Sequence, residues 1–163
     1  MKLWGLILLV AGDMLLVNYF TEHKKRPVQC LWEMIGFVGN ITSGVTEWKR
    51  TLKKAILSEK HCGHFPKMFQ AHFSIYQKEL PLRDALKKAL DELPLPEEAI
   101  EILAQYFQTM GKTTNKSTEE SFRLSKLRLE EILNELQKEL PKAKRLISSG
   151  VYSISAMVAV LLL

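Results

Sequence analysis

Two apolar runs close off this chain at its ends, and almost every charge lies between them. Residues 1–20 carry only Lys2 and Asp13 as charged side chains, and residues 146–163 carry none. As helices rising 1.5 Å per residue, Leu3–Phe20 and Leu146–Leu163 would each reach about 27 Å. That is close to the ~30 Å hydrocarbon core of a bilayer. The first run has the basic Lys2 of a signal peptide, but Tyr19 and Phe20 stand where a cleavage site needs small residues. It reads as an uncleaved anchor.

The basic residues set the expected topology. Lys24, Lys25 and Arg26 abut the first run, and Lys142, Lys144 and Arg145 abut the second. Positive charge is retained on the cytoplasmic side of a membrane. The sequence therefore predicts a hairpin, with single spans at 1–20 and 146–163, both termini outside, and a cytoplasmic domain at 21–145. The net charge of +5 needs no nucleic acid to explain it, because these six flanking cations exceed it. Anionic lipid headgroups are their natural partner. Asp13 falls near the middle of the first span, where a carboxylate is a candidate proton or ion site. The plainer expectation is a protonated acid bonded to Ser149 or Ser153, which are spaced i, i+4 and suit close helix contact.

Between the ends, apolar residues recur at helical spacing in every segment. Leu31, Met34, Ile35, Val38 and Ile41 form one face; Trp48, Leu52, Ala55 and Ile56 follow a break at Gly44. Phe65, Met68, Phe69, His72, Tyr76 and Leu80 make a third. Leu82, Ala85, Leu86, Ala89, Leu90 and Leu93 make a fourth after Pro81, which suits a first helical turn. Ile100, Leu103, Phe107 and Met110 follow Pro96, with Glu97 and Glu98 at the positive end of the helix dipole. Phe122, Leu129, Ile132, Leu133, Leu136 and Leu140 form the sixth and longest. No strand-like alternation appears. The predicted fold is an all-α bundle of about six helices flanked by two single membrane spans, its one polar loop at 111–117. Trp32 and Trp48 are candidates for either the core or a partner-docking face, and the core is the expectation.

Chemistry is hard to find in this pattern. Gly111-Lys112-Thr113 would need a glycine at position 106 to complete a phosphate loop, and Tyr106 stands there. His61, Cys62 and His64 lack a second ligand pair with zinc spacing, and His72 reads as a core histidine. Cys30 and Cys62 read as free thiols, as expected in a cytoplasmic domain. The expectation is a protein that is not an enzyme and uses no cofactor or metal. An anchored receptor or regulator hooked on His61–His64 and the 111–117 loop is the alternative. Oligomeric state stays open, a homo-oligomer included.

The order of these features resembles stage III sporulation protein AB (SpoIIIAB), a family itself similar to the helical platform proteins of type II secretion (the GspF domain). A span leads into a basic stretch ending in Arg26-Pro27, and then into a helix ending in an Ile-x-x-Gly-x-Thr turn at Ile41, Gly44 and Thr46. Ala89-Leu90 and the turn at Met110-Gly111 follow, and a long amphipathic helix runs into a leucine-rich end. The chain has Gly39-Asn40 where the family usually has an acidic pair, and Lys112–Lys116 where it usually has an acidic, Gln-containing stretch. The resemblance implies a mother-cell membrane protein of the SpoIIIA–SpoIIQ channel that joins mother cell and forespore. Its implied partners are the other SpoIIIA channel proteins and the cytosolic SpoIIIAA-like ATPase, which it would couple to the channel.

Overall fold

A computed structural model describes residues 2–48, 50–60, 63–110 and 115–162. Among them the chain is all-helical, with no strand: α1 (Lys2–Thr46), α2 (Leu52–Ser58), α3 (His64–Tyr76), α4 (Leu82–Asp91), α5 (Glu97–Thr109) and α6 (Asn115–Leu162). The expected apolar ends are not separate helices. Each is continuous with the first or last helix of the bundle. Pro27 and Pro141 lie inside α1 and α6, where each removes one backbone hydrogen bond without ending its helix.

The chain divides into two compact units, one of residues 1–26 with 135–163 and one of Pro27–Asn134. The larger unit has an aromatic centre. Phe69 on α3 is fully buried. Its ring stacks on Phe107 of α5 at 5.9 Å between centroids and on Phe73 at 6.1 Å, and meets Phe37 of α1 edge-on at 5.9 Å. Burying such a side chain is worth about 1.5–3 kcal/mol, and each good ring pair adds roughly 0.5–1.5 kcal/mol. Around this cluster lie Leu31, Met34, Val38 and Ile41 of α1, Leu52, Ala55 and Ile56 of α2, Ala85, Leu86, Ala89 and Leu90 of α4, Leu103 of α5, and Leu129 and Leu133 of α6. These are residues that the periodicity placed on the inner faces.

Several expectations for the core fail. Trp32 and Trp48 are exposed, at 66% and 68%. Trp32 follows Leu31 and so points about 100° away from the buried stripe. Trp48 lies in the turn after α1, where Arg50 sits 5.6 Å over its ring. His72 is only half-buried and stacks on Tyr76 at 6.3 Å. The buried line on α3 is Phe65, Phe69 and Phe73, at a strict four-residue spacing that turns it away from His72. Leu82 is also exposed.

The short helices are held by side chains from their neighbours. None of α2 to α5 has a side-chain cap on its own N-cap residue, and α2 has only seven residues, too few to persist alone. Gln70 of α3 donates its side-chain amide to the carbonyls of Ile56 and Glu59, at 2.6 and 2.9 Å, and so closes the end of α2. Tyr76 of α3 donates its hydroxyl to Glu92 just beyond α4, at 2.9 Å. Phe69→Ala is expected to lower the unfolding free energy of the full chain by about 3–5 kcal/mol, measured by denaturant titration in detergent. A loss below 1 kcal/mol would remove Phe69 from the centre of the fold.

Candidate interaction surfaces

The family turn is built where α1 ends against α2 and α5. Ile41 is buried, and Thr46, the last residue of α1, is buried too. Thr46 donates its hydroxyl to the Thr42 carbonyl at 2.9 Å, and Thr42 donates to the Val38 carbonyl at 2.7 Å. Thr42 also shares a 2.8 Å hydroxyl–hydroxyl bond with Tyr106 of α5. Burial pushes the Tyr106 phenol up to about 12, against the opposing pull of that bond. Position 106, read in the sequence only as the wrong residue for a phosphate loop, is therefore a buried tie between α1 and α5. Gly44 faces Ala55 of α2, and a Cβ there would meet the alanine methyl at 3.8 Å, an ordinary contact. The chain turns back as the Arg50 N–H reaches the Gly44 carbonyl at 3.4 Å. Gly111, the other turn position, lies outside the described residues.

Beside this turn opens a cavity of about 610 Å³, lined by residues of the α1 end, the α2 start, α4 and α5. Its floor is Leu52, Leu86, Phe107 and Met110, all buried, and Arg50 and Arg83 line it as exposed side chains.

A second hollow of about 510 Å³ lies between α1 and α6 within the same unit, with Trp32, Glu33, Gly36 and Asn40 on one side and Lys126, Glu130 and Leu133 on the other. Of the Gly39-Asn40 pair, Asn40 borders it. A Cβ on Gly39 would stand 3.4 Å from the Phe122 ring of α6, so the glycine permits close approach of the two helices. Glu33 is the residue that the sequence reading missed. Its carboxylate accepts the Phe65 N–H at 3.0 Å, thirty-two positions away, and the Gln29 amide at 2.8 Å. This is a helix N-terminus capped from another helix, the favourable place for a negative charge. Gly63 makes it possible, because any Cβ there would run into the Glu33 carboxylate.

The remaining candidates are quickly placed. His64 opens α3 as an exposed residue, while His61 and Cys62 lie outside the described residues. Cys30 is a free, buried thiol, pushed up to about 12 by burial and then by the nearby Glu33 carboxylate. Among the described residues no group of three or more metal-ligating side chains comes together. Of the expected polar loop, 111–114 lie outside the described residues, and Asn115–Ser117 already belong to α6.

The smaller unit joins the ends. On its part of α1, Asp13 and Thr21 are buried and Val17 is half-buried, one face at four-residue spacing. Thr21 donates to the Val17 carbonyl at 2.6 Å. The expected bond from Asp13 to Ser149 or Ser153 is not formed. Both serines are exposed, and Ser153 donates instead to the Ser149 carbonyl of its own helix, at 2.8 Å. The half-buried face of α6 here runs through Ile147 and Val151, two residues off the serine pair. Outside lie Met14, Leu15, Leu16, Tyr19 and Phe20 of α1 and Leu146, Tyr152 and Met157 of α6, all exposed. Lys24, Lys25, Arg26, Lys142, Lys144 and Arg145 are exposed as well, with Lys25 paired to Glu22 at 2.9 Å. Among the described residues no helix is long and apolar enough to cross a membrane. The side chains of residues 1–10 and 158–163, which complete the two apolar runs, lie outside them.

The family model described as stage III sporulation protein AB matches residues 2–163. No curated protein and no solved structure matches the chain. The Glu33–Gly63 contact yields a direct test. Gly63→Ala is expected to displace the Glu33 carboxylate and cost about 0.5–2 kcal/mol, the range for a lost N-cap. In a Glu33→Ala background the same glycine change should cost less, measured as a double-mutant cycle in denaturant.

Proposed function

The chain belongs to the stage III sporulation protein AB family, and from that membership we propose a membrane-anchored, non-enzymatic platform in the channel between mother cell and forespore. Membership makes it a sporulation-related component of the SpoIIIA group. The finer role is an assembly part that receives the cytosolic SpoIIIAA-like ATPase on its helical unit and passes its action to channel proteins in the mother-cell membrane, much as GspF-like platforms serve secretion.

The observation that carries the reading is the smaller unit. Eight large apolar side chains face outward there, on helices whose flanks carry six basic residues. A patch of that kind is unfavourable in water and marks a surface meant to be covered. The length of the two apolar runs and their cationic borders favour lipid as the cover, with residues 1–20 and 146–163 as spans and the charged helical part in the cytoplasm. The larger unit, with hollows of about 510 and 610 Å³ on its surface, is where protein partners would dock.

Full-length protein in detergent micelles is expected to retain the purified SpoIIIAA-like ATPase of the same organism in a pull-down, with micromolar affinity or better by light scattering. Failure of the ATPase to bind the full chain, alone or with the other channel proteins, would remove the coupling role.

A further inference from the structure

We infer that the cavity at the end of α1 is the docking site for an acidic, amphipathic helix of a protein partner. The inference rests on the platform reading, which supplies the need for a partner, and adds where it binds and with what chemistry. Leu52, Leu86, Phe107 and Met110 make a buried apolar floor, and about 610 Å³ is ample for the large side chains of one helix face. Helix-in-groove recognition uses such anchors at i, i+3, i+4 and i+7.

Charge selects the occupant. Arg50 and Arg83 both line the opening, and among the described residues no carboxylate does. Neither arginine is in an ion pair among the described residues, and both are exposed. Arg50 is held over the Trp48 ring with a 3.4 Å bond to the Ser58 hydroxyl, so its position is set before a partner arrives. Two exposed guanidinium groups beside an apolar floor suit carboxylates flanking apolar anchors, with bidentate pairing available to each. Leu82, 46% exposed on the same rim, is an apolar contact awaiting cover. An anionic lipid offers similar chemistry, but Val45 at the cavity lies about 27 Å along α1 from Pro27, at 1.5 Å per residue. The basic flank that would meet headgroups ends at Arg26, immediately before that proline.

The test is site-specific photocrosslinking of the full chain in sporulating cells, with a benzophenone amino acid at position 82 and, as a control, at the exposed position 127. The expected result is a position-82 adduct whose mapped peptide is net acidic and amphipathic. Arg50→Glu with Arg83→Glu should reduce that adduct at least tenfold and leave the position-127 adducts unchanged. Both arginines are exposed, and an unchanged unfolding midpoint confirms that the double variant folds. A lipid adduct, a peptide that is not acidic, no adduct, or one indifferent to the charge reversal would each overturn the inference. ATPase capture by the full chain with no acidic adduct leaves the platform standing and removes this site. An acidic adduct from another protein, with no ATPase capture, does the reverse.

Discussion

The stacked contact of Phe69 with Phe107, extended to Phe73 and Phe37, is the interaction on which the larger unit depends. It ties α1, α3 and α5 together through one ring that sees no solvent. Helices α2 and α4 then close over the rest of the cluster with small and aliphatic residues, Ala55 and Ile56 on one and Ala85, Leu86, Ala89 and Leu90 on the other. The alanines let α4 approach closely, and the leucines fill the space beside it. Phe107 also forms part of the floor of the cavity beside the α1 end. The centre of the fold and the proposed docking surface therefore share a side chain, and the floor cannot shift without disturbing the aromatic stack.

Polar contacts add direction to this apolar core. Glu33 caps α3 from α1, Gln70 closes α2 from α3, and the Thr42–Tyr106 hydroxyl pair joins α1 to α5. A buried hydrogen bond contributes only about 0.5–1.5 kcal/mol net, but leaving a buried polar group unpaired costs more. Such ties therefore choose one register among several of similar apolar burial. They also explain the turn residues of the family pattern in physical terms. Ile41 is core, Gly44 faces Ala55 of α2, and Thr46 ends the helix with its hydroxyl satisfied by the preceding turn.

The sequence carried the helices and most of the core, because a stripe such as Leu31, Met34, Val38 and Ile41 states both a period and a face. It was less able to choose between neighbouring stripes on α3, where His72 and Phe73 are adjacent and both large. Packing decided for Phe73, since only that residue keeps the four-residue line with Phe65 and Phe69. The exposure of Trp32 and Trp48 was hidden for a related reason: tryptophan reads as core by composition, while the place of Trp32 is set by its angle on α1 and that of Trp48 by the turn after α1. Glu33 could not be found from the sequence at all. Its Phe65 partner lies thirty-two positions away, and a hint was the glycine just before α3. The expected serine face on α6 failed because Ile147 and Val151 occupy the inner side of that helix. The proposed membrane spans rest on composition, length and flanking charge, which are properties of the sequence itself.

Thiol accessibility in intact cells tests the anchored platform most directly. Single-cysteine variants would replace Lys2, Ser117, or a position added after Leu163, in a background lacking Cys30 and Cys62, and would meet a membrane-impermeant maleimide. Labelling at both ends with protection at position 117, an exposed position on α6, is the predicted result. Labelling at position 117 would place the helical unit outside the cytoplasm, where no cytosolic motor could reach it, and would contradict the platform.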